Sequence, residues 1–97
     1  MSTPRPPVEH QLQSWTRFFG PIAAGDRVHE LRRNDRDFRV GDIMCLLEWD
    51  PQLSEATGRQ VSVEITSITS DDVPCAVSDV GLTPGFCILS VRLLPNR

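Results

Sequence analysis

The chain predicts a mainly β domain of the α+β class, a small barrel-like sheet with one N-terminal helix packed on it. Three observations lead there. Its 97 residues can form one hydrophobic core, since a second could not bury enough apolar surface to offset its ordering entropy. Apolar and polar residues alternate over four or five stretches, whereas apolar spacings of three and four occur over only one. No part of the chain alternates strand with helix as a parallel sheet requires. Periodicity alone admits several kinds of barrel.

Residues 1–7, with prolines at 4, 6 and 7, read as a flexible arm, and residues 8–97 as the single domain. Alternation through His10 and Leu12 predicts a short first strand. Ser14 or Thr16 is the expected cap of a helix carrying Phe18, Phe19, Ile22 and Ala23, and Gly25 its left-handed terminator. Pro21 conflicts with an unbroken helix, because its ring clashes with the carbonyl four residues back and it has no N–H to donate. The helix is therefore expected to kink, or to begin its regular turns only at Gly20.

Residues 28–33 predict a strand with Val28, Glu30 and Arg32 on one face and His29, Leu31 and Arg33 on the other. The Asn-Asp-Arg-Asp run at 34–37 is a turn by its side-chain chemistry. Phe38 and Val40 are expected to return to the core before Gly41 and Asp42 turn the chain again. Residues 43–49 form the strongest strand. They are apolar on both faces, which predicts a central or helix-covered position. Pro51 ends that strand, 52–58 read as a polar loop, and 59–68 as a further strand. Its alternation breaks at Ile68, which puts a bulge near Thr66 and Ser67. Residues 69–85 read as a long connection, with a small apolar island at 73–77, that could serve as a lid. Residues 86–93 close the sheet.

The charge is unevenly spread. A net charge of −3 argues against indiscriminate binding of nucleic acid, duplex DNA included, because such binding rests on a strongly basic surface. Residues 27–39 nevertheless carry five arginines against Glu30, Asp35 and Asp37. A basic spot on an acidic body can hold one phosphate or a short strand while repelling long duplexes. Cys45, Cys75 and Cys87 are odd in number and widely spaced, so neither a disulfide framework nor a zinc site is expected, and Cys45 and Cys87 should be buried. No run approaches the roughly 20 apolar residues of a membrane span, and the first residues lack the apolar core of a secretion signal. The expectation is a cytoplasmic protein with no membrane partner.

Gly25, Arg27, Glu30 and Arg32 match the G-x-K-x-x-E-x-R signature of the ASCH domains, with Arg27 where that family has lysine. The longer string from Glu30 to Phe38, Glu-Leu-Arg-Arg-Asn-Asp-Arg-Asp-Phe, is followed by Val40-Gly41-Asp42 and Glu48-Trp49-Asp50. Together with His10-Gln11-Leu12, Thr57-Gly58-Arg59, Gly81-Leu82 and Gly85-Phe86, in that order, it resembles an ASCH-related branch of bacteria and phages. The resemblance covers roughly residues 9–93. It implies a PUA-like barrel and a role in binding RNA or nucleotides, and it supplies neither a reaction nor a named ligand.

The candidate ligand- or RNA-binding residues are Arg27, Glu30, Arg32, Asn34, Asp35 and Arg36, lining a cleft between helix and barrel. Arginine grips phosphate bidentately and stacks on bases, while a carboxylate accepts from an exocyclic amine or a ribose hydroxyl. His10, Trp15 and Trp49 are subsidiary candidates. The competing reading makes these charges an ion-pair network fastening two strands, which suits Arg33 and Arg39 better than Glu30 and Arg32. No catalytic residue, metal or cofactor is assigned. Some ASCH proteins hydrolyse an amide of acetylated cytidine using the family lysine, a threonine three residues later and a glutamate. Here Arg27 and Glu30 replace the first two, and arginine is no neutral base. Two alternatives to the binding module stay open: a hydrolase of a modified nucleoside, and a protein-interaction or regulatory module of phage origin.

Overall fold

The computed structural model describes residues 5–74 and 81–95. Among these the elements run β1 (Glu9–Trp15), α1 (Thr16–Ala23), β2 (His29–Arg33), β3 (Ile43–Asp50), β4 (Glu55–Ser70) and β5 (Phe86–Leu93). The strands form one sheet in the order β1-β3-β4-β5-β2. β1 runs parallel to β3, and the other neighbours are antiparallel. The edge strands β1 and β2 approach each other through side chains. Arg32 Nη2 donates to the Gln13 carbonyl at 2.8 Å and Arg36 Nη1 to the Gln11 carbonyl at 3.4 Å. The sheet is thus a half-barrel with a seam bridged by arginines.

The concave face is apolar because alternate residues of every strand turn inward. Leu12, Met44, Leu46, Val63, Ile65, Cys87, Leu89 and Val91 are buried there, and Phe19 and Ile22 of α1 join them. β3 lies between β1 and β4 and is touched by α1, as its two apolar faces demand. Cys45 and Cys87 are both buried, as expected. Cys75 lies outside the described residues. Burial pushes the Cys87 thiol up from its ordinary pKa, with Asp35 adding to the rise and Arg32 opposing it.

Neither Ser14 nor Thr16 caps α1, contrary to expectation. Ser14 is a buried residue of β1, paired across to Glu48, and Thr16 is already helical. Extended Trp15 leads into the helix with no side-chain cap. The helix also runs through Pro21 instead of starting there. In eight residues the proline forfeits one i→i−4 bond. Gly25 ends it as expected: at φ +81° it lets its N–H reach the Ile22 carbonyl (3.0 Å) while Asp26 N–H reaches that of Pro21 (2.9 Å), the Schellman pattern. Arg27 N–H shares the Pro21 carbonyl at 3.1 Å, so the helix end also sets where Arg27 begins.

Several positions differ from the sequence reading, beginning with β2, which starts at His29 and leaves Val28 exposed. Val40 does not return to the core with Phe38: it is 62% exposed, against 6% for Phe38. It lies in the turn that leads to Asp42. The polar loop expected at 52–58 shrinks to a turn at 51–54, because the β3–β4 ladder continues to Asp50 and Glu55. The Asp50 carboxylate accepts from the Gln52 and Leu53 amides at 2.9 and 3.3 Å. The first residues of β4 are exposed throughout, which is why their composition reads as loop. At its other end β4 skips register between Ile65 and Ser67, the expected bulge, and then continues to Ser70. Residues 69 and 70, expected in the long connection, therefore belong to the ladder. The apolar island at 73–77 and the lid lie partly outside the described residues.

Asp42 fastens the turn between β2 and β3. It is 1% exposed and accepts five hydrogen bonds. Arg5 Nη1 and Val8 N–H reach Oδ1 at 2.9 and 3.1 Å; Arg5 Nη2, His10 Nε2 and Arg39 N–H reach Oδ2 at 3.0, 2.8 and 3.1 Å. Burial alone would push its pKa up. The bonds from Arg5, His10 and the two amides outweigh that and hold it well below the usual carboxylate range. Within the segment read as a flexible arm, Arg5 is thereby tied to the domain.

Candidate functional site

β2 is a short edge strand whose inward positions are Glu30 and Arg32. Glu30 is 6% exposed, and Arg32 Nε donates to its Oε2 at 2.8 Å. A second guanidinium nitrogen of Arg32 is committed to the Gln13 carbonyl. Glu30 Oε1 and Arg32 Nη1 have no protein partner among the described residues. The expected charge pair thus exists, with one carboxylate oxygen and one guanidinium nitrogen left over.

The pair lines a cleft of about 320 Å³ between α1, the end of β1 and β2. β1 supplies Ser14 and Trp15, α1 supplies Phe18, and the turn after the helix supplies Arg27. The Arg27 guanidinium lies 4.9 Å from the centre of the Phe18 ring and that of Arg17 5.1 Å from it, both within cation–π range. No carboxylate pairs with Arg27 among the described residues. Two buried side-chain polar atoms have no hydrogen-bond partner there, Ser14 Oγ and Arg27 Nε, and both residues line this cleft. Such orphans are exceptions in folded proteins, because each forfeits its solvation. Trp15, 51% exposed, puts an aromatic surface beside them.

A second cleft, of about 300 Å³, adjoins the first and shares Leu31 and Arg32 with it. Asp35 and Arg36 line it over a floor of Leu12 and Phe38. Arg36 is loosely held, 4.0 Å from Asp35 and at a long 3.4 Å from the Gln11 carbonyl.

Of the candidates, Arg27, Glu30, Arg32 and Trp15 therefore meet in one cleft, and Asp35 and Arg36 in its neighbour. Asn34 lines neither; its N–H pairs with the Gly85 carbonyl at 2.8 Å. His10 is removed from both, buried between Asp42 and the Phe38 ring, whose centre is 4.9 Å from its own. Trp49 is half-buried, opposite Trp15 in the β1–β3 ladder, and lines neither cleft. Glu48, Thr57 and Arg59 of the longer motif form a network of their own: Thr57 Oγ1 donates to Glu48 at 2.6 Å and Arg59 lies 3.6 Å from it. Ser14 and Phe18 were missed. The signal for Ser14 was present, since the alternation that turns His10 and Leu12 inward turns Ser14 inward too. Among the described residues no three His, Cys, Asp or Glu side chains gather as a metal-ligand set, and no helix is long and apolar enough to cross a membrane.

A family model described as a domain of unknown function (DUF3850) matches residues 9–91. The chain is also similar to the uncharacterized 12.9 kDa protein in the GpA 3' region of Escherichia phage P2, with 32% identity over 60 residues, 62% of this chain and 53% of that protein. It spans about half the length of that relative.

Proposed function

From a chain that belongs to the DUF3850 family, we propose an RNA- or nucleotide-binding module whose ligand lies in the cleft between α1 and β2. The observation that carries this reading is the pair of orphaned buried atoms, Ser14 Oγ and Arg27 Nε, in one cleft. Burying a polar group without a partner costs about 1–3 kcal/mol; both atoms are closed to solvent as the cleft stands, and a ligand that draws the two side chains towards it supplies the missing partners and offsets that cost. The groups around them suit a nucleotide. Arg27 carries unpaired positive charge for a phosphate, and Trp15 offers a face on which a base stacks. Glu30 Oε1 accepts from an amine or hydroxyl, and Arg32 Nη1 donates to a carbonyl or ring nitrogen. The resemblance of Gly25, Arg27, Glu30 and Arg32 to the ASCH signature, and so to PUA-like domains, supports the same reading.

Hydrolysis of a modified nucleoside has less behind it. Among the described residues Ser14 Oγ has no base in hydrogen-bond reach to activate it, and a guanidinium keeps its proton at neutral pH. The test is titration of short single-stranded RNAs and of nucleotides at two salt concentrations, with wild type, Arg27→Ala and Glu30→Gln. Binding is expected to weaken with salt and to fall about tenfold in each variant. A signal indifferent to salt and to both substitutions, or no signal, would defeat the proposal. Turnover of a modified nucleoside by the wild-type chain would replace it with an enzymatic reading.

A further inference from the structure

Resting on that reading, we infer that the ligand is a strand of at least two linked nucleotides and not a free mononucleotide, with its linking phosphate crossing the half-barrel seam at Arg32 and Arg36. The observation is the continuity of two clefts. The Glu30 cleft and the Arg36 cleft meet at Leu31 and Arg32, which line both. Each has about the volume of a small ligand site, 320 and 300 Å³, near the lower end for such pockets. Leu31 is 58% exposed and forms an apolar shoulder at the junction, a surface on which a second base can rest.

Arg32 is fixed at Nε by Glu30, but the nitrogens that the two arginines turn to the seam meet only uncharged acceptors there. Arg32 Nη2 and Arg36 Nη1 donate to the neutral carbonyls of Gln13 and Gln11 at 2.8 and 3.4 Å. Arg36 lies 4.0 Å from Asp35 with both side chains largely exposed, a pair worth little. A phosphate is a better acceptor for a guanidinium than a peptide carbonyl, because it adds full opposite charge and a second oxygen for bidentate pairing to a bond that has only the donor's charge. An anion lying along the seam therefore takes over donors that β1 only borrows, and it does so where the two clefts join. Seen this way, the seam is bridged by side chains so that a backbone can lie across it.

The experiment compares nucleoside 5'-monophosphates with the dinucleoside monophosphates of the same bases, on the whole chain at fixed salt. A mononucleotide carries a charge of about −2, whereas the linking phosphate of the dinucleoside carries a single one. Charge alone thus favours the mononucleotide, and only a second subsite reverses the order. The expected result is that the dinucleoside binds about tenfold tighter, the gain of one further charge-assisted contact. Arg36→Gln, at an exposed position, should bring that ratio close to one. Equal affinities, tighter mononucleotide binding, or a ratio untouched by Arg36→Gln would overturn the inference while leaving the cleft as a nucleotide site. Failure of both ligands to bind would instead bring down the functional reading beneath it.

Discussion

Glu30 and Arg32, two residues apart on β2, are joined by a 2.8 Å bond from Arg32 Nε to Glu30 Oε2, and their remaining atoms face a cleft. The bond fixes both side chains, so neither must be ordered when something binds. That is the physical meaning of preorganisation. Had both groups been fully used within the protein, the pair would be a strut and nothing more. Glu30 Oε1 and Arg32 Nη1 are the part left over.

Ser14 separates stability from function. Its buried hydroxyl lacks a partner among the described residues, so Ser14→Ala should raise the unfolding free energy by about 1 kcal/mol, read as a higher denaturant midpoint, while weakening nucleotide binding. A loss of stability would mean that the hydroxyl has a partner in solution, and unchanged binding would remove it from the site.

Arg27→Lys keeps the positive charge but removes the buried Nε donor and the flat guanidinium over Phe18. If geometry matters beyond charge, affinity should fall about tenfold with little change in salt dependence. An affinity equal to wild type would reduce Arg27 to a point charge.

Asp42 should dominate the acid limb of stability. Its folded pKa lies below the ordinary 3.8, so between the two values the unfolded chain binds more protons than the folded one. Stability therefore rises with pH across that window. Its contribution is complete above about pH 4–5 and drains away as pH falls towards the depressed value. Asp42→Asn should cost about 3 kcal/mol at neutral pH and flatten that acid slope, as read from urea midpoints at pH 7 and pH 3. An Asn variant with the same slope as wild type would assign the acid sensitivity elsewhere.

Leu46 and Val40 test the corrected core. Leu46→Ala removes a fully buried side chain and should cost about 2–5 kcal/mol, a large share of what a domain this small possesses. Val40→Ala, at an exposed turn position, should stay within about 0.5 kcal/mol. Comparable losses at both positions would contradict the burial described for Val40.

Cys87 should stay silent towards thiol reagents at neutral pH while the fold is intact, since burial both raises its pKa and blocks access. In a Cys45→Ala, Cys75→Ser background, labelling of Cys87 should follow global unfolding as denaturant is raised. Rapid labelling below the unfolding transition would reveal local opening of β5.

Much of this was legible in the chain, wherever one residue's neighbours along the sequence decide its environment. Gly25 ends a helix because of its own backbone freedom, Thr66 bulges because the alternation on either side of it is out of phase, and Glu30 and Arg32 share a face because they are two apart on a strand. Ser14 was misread for the opposite reason. A hydroxyl before an apolar helix looks like a cap; the alternation through His10 and Leu12 points Ser14 inward, but it takes the pairing of β1 with Glu48 on β3 to carry the strand that far. The start of β4 was lost in the same way, since exposed polar residues have the composition of a loop until a ladder with β3 holds them extended.

By itself the sequence determined a mainly β fold with a helix near its start, and a charged pair on one face of a short strand. Those properties follow from periodicities of two and of three to four, which are local. Tertiary structure alone decided that β1 and β2 become facing edges, that Asp42 gathers five donors from three segments, and that Ser14, Arg27 and Glu30 meet. These are contacts between residues distant in the chain, selected by which apolar faces must be covered, and no single stretch contains that information.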